Sequence, residues 1–107
     1  MENHPDCDLK VSEVRVRLAK DPKKTLIGWA SCVINDCLYL NNIAIRRLND
    51  NRLVISFPIR KQPETNKEYF YFKALTYEAA MVLQTAIVGE LILLEQYQAL
   101  ERGERHD

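Results

Sequence analysis

The chain predicts an α+β fold: an antiparallel five-stranded β-sheet, meander-like in order, followed by one long C-terminal α-helix. Three observations carry that expectation. Short segments between residues 11 and 75 alternate apolar and polar positions with the period of two that buries one face of a strand. Turn-forming residues separate these segments at short intervals. From Tyr77 to about Leu100 there is no proline, and good helix formers dominate.

In order, residues 1–9 show no hydrophobic period and read as a flexible lead. Strand one runs from Val11 to Leu18, with Val14, Val16 and Leu18 on one side and Arg15 and Arg17 on the other. Asp21-Pro22-Lys23-Lys24 reads as a turn, with proline where its fixed φ suits. Strand two runs from Leu26 to Ile34, where Ile27, Trp29 and Val33 alternate with Ala30, Cys32 and Ile34, so both faces are largely apolar. Asn35-Asp36 makes a hairpin turn, since both tolerate left-handed φ. Strand three holds Leu38, Tyr39 and Leu40 and then Ile43, Ala44 and Ile45, and Asn49-Asp50-Asn51 turns the chain again.

The fourth strand carries Leu53, Ile55 and Phe57 and stops at Pro58, which has no N–H for a ladder. Arg60 and Lys61 follow at once, a basic corner on a rigid support. Residues 62–67 form a polar loop, and Glu68 to Leu75 reads as the fifth strand, with Tyr69 and Tyr71 opposite Phe70 and Phe72. Thr76 caps the helix, Glu78 favours its dipole, and Gly89 is its weak point, a close contact or a kink. A single domain over residues 10–101 results, with the sheet at 11–75, the helix at 76–101 and a flexible tail at 102–107.

The helix is apolar over two rows. Leu83, Ile87, Leu91 and Leu94 form one; Val82, Ala86, Leu93 and Leu100 form the other. A helix on its own sheet needs only an arc of about 100°, and one helix covers only one face of a sheet. Both excesses point to a homodimer with Val82, Ala86, Leu93 and Leu100 at its interface.

Net charge is zero, but unevenly spread. Residues 10–73 carry 13 bases against six acids, while residues 74–107 carry two bases against six. A basic middle suggests a polyanionic partner. Candidate phosphate contacts are Arg60 and Lys61 after the proline, Arg46, Arg47 and Arg52 around the third turn, and Arg15 and Arg17 on strand one. Tyr69 or Tyr71 could stack on unpaired bases or belong to the core.

An enzyme is not expected. The histidines, His4 and His106, sit in the terminal segments, and no phosphate loop or nucleophile–base pair occurs. Cys7, Cys32 and Cys37 form no even framework, which fits a reducing compartment; Cys32 and Cys37 read as buried structural thiols rather than a disulfide or zinc site. No apolar run reaches the roughly 18 residues of a membrane span, and the N-terminus is not signal-like. The expected location is cytoplasmic, with no cofactor, no metal, no membrane and no small-molecule substrate.

Val14-x-Val16-Arg17-Leu18, Ala30-Ser31, the Asn35-Asp36 hairpin, Ile43-x-Ile45 and above all Phe57-Pro58-x-Arg60-Lys61 resemble the bacterial stage V sporulation protein G (SpoVG) family of septation regulators. The likeness runs in register from residue 11 to 61 and loosely to about 97. Ile59 stands where that family's corner has serine, and Asn49-Asp50-Asn51-Arg52 where it has a glycine-rich turn. From Phe70 to Leu75 the chain also departs from an Ile-Ala-His-Pro-like strand. The resemblance implies a small antiparallel sheet with a C-terminal helix, dimeric, that binds DNA or RNA and regulates gene expression in sporulation or septation without catalysis. The alternative is a protein-interaction module that works without nucleic acid, using the second helical row or a strand edge.

Overall fold

The computed structural model describes residues 8–20 and 25–101. Most of the N-terminal lead (with His4 and Cys7), the turn expected at Asp21-Pro22 and the tail with His106 lie outside the described residues. The fold is α+β. Strands β1 (Val11–Leu18), β2 (Leu26–Ile34), β3 (Leu38–Arg47) and β4 (Leu53–Ser56) form an antiparallel meander in the order β1-β2-β3-β4. Strands β5 (Ile59–Lys61) and β6 (Glu68–Phe70) form a separate two-stranded hairpin, and helix α1 (Tyr77–Glu101) follows.

The five-stranded sheet is therefore corrected to four strands plus a two-stranded arm. Pro58 ends the ladder as expected, but residues 59–61 extend again and pair with residues 68–70 instead of rejoining the sheet. The N–H of Tyr71 donates to the Pro58 carbonyl at 3.0 Å and closes the base of the arm. Beyond it, Phe72 turns inward and meets Phe57 edge-on, with ring centroids 5.8 Å apart. That inward turn stops the expected strand at Phe70 rather than Leu75.

Two bulges phase the apolar positions. The β1–β2 register shifts between Ser12 and Arg15, where Glu13 takes φ 50°. The shift puts Val11 on the side of Val14, Val16 and Leu18, all of which pack against the core. On β3 the register shifts opposite Ala30 to Cys32, where Asn42 takes φ 63°, and Leu40 joins Ile43 and Ile45. Each three-residue step in the apolar pattern is thus a bulge. Gly28 marks a third irregularity: a Cβ there would collide with the Arg17 carbonyl oxygen of β1.

The core joins Ala30, Cys32, Ile34, Ile43 and Ile45 of the sheet to Leu83, Ile87 and Leu91 of α1. Thr76 caps the helix through Oγ1, which accepts the Ala79 N–H at 3.1 Å. Gln84 Oε1 accepts the Ile55 N–H at 3.2 Å and ties the helix to β4. Gly89 makes no close contact within the chain, because a Cβ there would have nothing within 4 Å. By length and composition α1 could also cross a membrane; counting uninterrupted runs misses this because Gln84, Thr85 and Glu90 punctuate it. Cys32 is buried, whereas Cys37 is exposed in the turn, so the expectation of buried thiols is corrected for Cys37.

Candidate nucleic-acid interface

Strand alternation and register decide which predicted cations come together. Val16, Leu18, Ala30 and Ile43 face the helix, so their strand neighbours point the other way. Arg17 pairs with Trp29, Trp29 with Ala44, and Ala44 with Ser56, giving one row across the helix-free face. Arg15 lies opposite Ser31, and Arg46 opposite Val54, on the same face. Val33 and Tyr39 form a further row, with Tyr39 65% exposed. Arg15, Arg17 and Arg46 thus share a rigid platform with Trp29, Tyr39 and several hydroxyls.

From strand geometry, Arg15 and Arg17 are about 7 Å apart, and Arg46 lies about 12 Å from Arg17 across two strands. The guanidinium carbon of Arg17 sits 5.2 Å from the Trp29 ring centroid, a cation–π contact that holds it over the sheet. Arg46 Nη1 donates to Thr25 Oγ1 at 3.5 Å, a long bond that leaves most of its donors uncommitted. Among the described residues, none of Arg15, Arg17, Arg46 and Arg60 joins a salt bridge.

The platform continues onto the β5–β6 arm. An open cleft of about 450 Å³ runs from Arg46 and Ser56 past Phe57 to Ile59 and Phe70. On the arm's other face, Arg60 lies opposite Tyr69, and both line a cleft of about 440 Å³ with Gln62 and Tyr71. Tyr69 and Tyr71 are 51% and 67% exposed, so they are surface aromatics and not core. Lys73 Nζ stands 5.2 Å from the Phe70 ring centroid and adds a further cation beside the arm.

Four of the seven predicted cations stand apart from Arg15, Arg17 and Arg46, and Arg60 on the arm's other face is one of them. Arg47 lies in register with Leu53, on the helix side of the sheet's end. Lys61 alternates with Arg60 and lies opposite Glu68, which offsets its charge. Arg52 is held by Asp50: its Nε donates to Oδ2 at 2.8 Å, and this bond keeps the Asp50 carboxyl below its usual pKa. Of the residues proposed for a dimer interface, Val82 and Ala86 are half-buried, and Leu93 and Leu100 are 60% and 58% exposed.

Sequence reading overlooked Trp29 and Tyr39 as platform residues. Period-two alternation puts Trp29 and Val33 on one face of β2, but with both faces apolar it could not say which face the helix covers. The signal available was Arg17, which occupies the equivalent face of β1. No family model and no curated protein sequence matches the chain.

Proposed function

We propose that this chain is a homodimeric nucleic-acid-binding regulatory protein resembling the SpoVG family, acting on DNA or RNA in gene regulation linked to sporulation or septation. It works by binding rather than catalysis, in the cytoplasm, without cofactor, metal, membrane or small-molecule substrate. The observation that carries the reading is the convergence of Arg15, Arg17 and Arg46 around Trp29 on a helix-free sheet face. Cations on a rigid face meet phosphates, while aromatic and guanidinium planes offer stacking surfaces to unpaired bases. Acids concentrate instead on α1, which has Glu78, Glu90, Glu95 and Glu101 and no base.

The test is an anisotropy titration of labelled single-stranded and duplex oligonucleotides. Trp29, the sole tryptophan, provides a second signal by its quenching. The Arg15→Ala/Arg17→Ala/Arg46→Ala variant should lose affinity and quenching. Equal binding by that variant would remove the platform from the reading, and no binding by the parent chain would overturn it. The second reading, a protein-interaction module, is favoured by the exposed apolar flank of α1; recovery of a stoichiometric protein partner free of nucleic acid would decide for it.

A further inference from the structure

Helix α1 buries Leu83, Ile87 and Leu91. About 120° around it runs a second line: Val82, Ala86, Gly89, Leu93, Tyr97 and Leu100. Leu93 and Tyr97 are 60% and 61% exposed, and Gly89 has open space above it. The line is graded by size, with small side chains before Gly89 and large ones after it. Gly89 is also the midpoint of the 25-residue helix.

We infer that two copies of this chain pair these helix flanks antiparallel about a two-fold axis beside Gly89, each seating its C-terminal end at an apolar cleft of the other. The inference rests on the homodimer in the reading above and assigns its surface. With Gly89 opposite Glu90 of the second copy, Ala86 meets Leu93 and Val82 meets Tyr97. Small faces large in every layer, as close packing requires. Parallel pairing would instead stack Tyr97 on Tyr97 and leave alanine opposite alanine. Glycine at the crossing lets the backbones approach and leaves room for the Glu90 stem.

The cleft is the independent observation. It has a volume of about 400 Å³, lies beside the helix N-terminus, and is lined by Leu38, Phe72, Leu75, Ala79 and Leu83 among others. Leu75 at its rim is 88% exposed. Antiparallel pairing delivers the second copy's Tyr97 end to this place, and the symmetry provides two such seats. From Val82 to Leu100 the line is a strip about 27 Å by 11 Å, about half of the roughly 600 Å² per copy at which specific interfaces begin, and the cleft adds to it. Because α1 carries only acids, salt should tighten this pair, whereas it weakens nucleic-acid binding.

Sedimentation equilibrium of the full chain tests the register. Leu93→Glu and Ala86→Lys should each weaken the dimer roughly tenfold or more, while the double variant should recover it, because residues 86 and 93 face each other only in the antiparallel register. Circular dichroism checks that the helix persists; Leu93 is exposed enough to replace without opening the core. A monomeric parent chain, single variants that dimerise normally, or a double variant that stays dissociated would each overturn the pairing. A monomer that binds oligonucleotides would refute this surface and leave nucleic-acid binding standing; a dimer that binds none would do the reverse.

Discussion

Replacing Gly28 by alanine places a methyl group against the backbone of the adjacent strand. The new Cβ would collide with the Arg17 carbonyl oxygen and lie 3.0 Å from the Leu18 Cα and 3.2 Å from the Arg17 carbonyl carbon. All three are main-chain atoms, so no rotamer change relieves the contact; β1 and β2 must separate. Losing two ladder hydrogen bonds costs about 2 kcal/mol, and residual overpacking adds about 1–3 kcal/mol. Reduced freedom of the unfolded chain returns about 0.4–1 kcal/mol. The net expectation is a loss of about 2–4 kcal/mol, a Tm lower by roughly 10 °C or more. Urea unfolding followed by Trp29 fluorescence reads it directly, since Trp29 is the next residue. By contrast, Gly89→Ala meets nothing within 4 Å and should stabilise the dilute monomer by up to about 1 kcal/mol. A Gly28→Ala protein within about 0.5 kcal/mol of the parent, outside the range of the mechanism, would refute the close strand approach.

Other measurements separate the cations and the thiols. On single strands each lost phosphate contact lowers the salt slope by about 0.7, so Arg15→Ala/Arg17→Ala/Arg46→Ala should lower it by about 2; Arg52→Ala, already held by Asp50, should leave it unchanged. Maleimide labelling followed by peptide mass mapping should find Cys37 modified at once and Cys32 only on unfolding. Burial raises the Cys32 pKa, so its contribution to stability is full below the ordinary thiol value and is lost as pH rises above it; chemical denaturation at neutral and alkaline pH, compared with Cys32→Ala, checks that sign. Ser12 Oγ is buried without a protein partner, so Ser12→Ala should be neutral or stabilise by up to about 1 kcal/mol in thermal unfolding.

The order of elements was legible in the residues themselves because it depends on local physics. Period-two alternation located β1, β2 and β4, and Thr76 marked the helix start. Asn35 and Asp36 take the positive φ their side chains tolerate, 51° and 58°. Pro58 ended the sheet because it lacks a donor. The buried row of α1 could also be read, since Leu83, Ile87 and Leu91 recur at helical spacing. Even the bulges left a trace, in the three-residue steps from Val11 to Val14 and from Leu40 to Ile43.

Only tertiary structure decided where the chain goes after Pro58 and which face of an apolar sheet stays open. Both are long-range questions: residues 59–61 choose residues 68–70 over β4's neighbours through pairing across a loop, and composition alone does not rank those partners. The candidate site followed from the same choice. Once the helix covers the Ala30–Ile43 side, Arg15, Arg17 and Arg46 are gathered around Trp29, while Arg47, one residue along from Arg46, points the other way. Strand alternation separates sequence neighbours and joins residues far apart in the chain, so the charge pattern could name the cations but not assemble them.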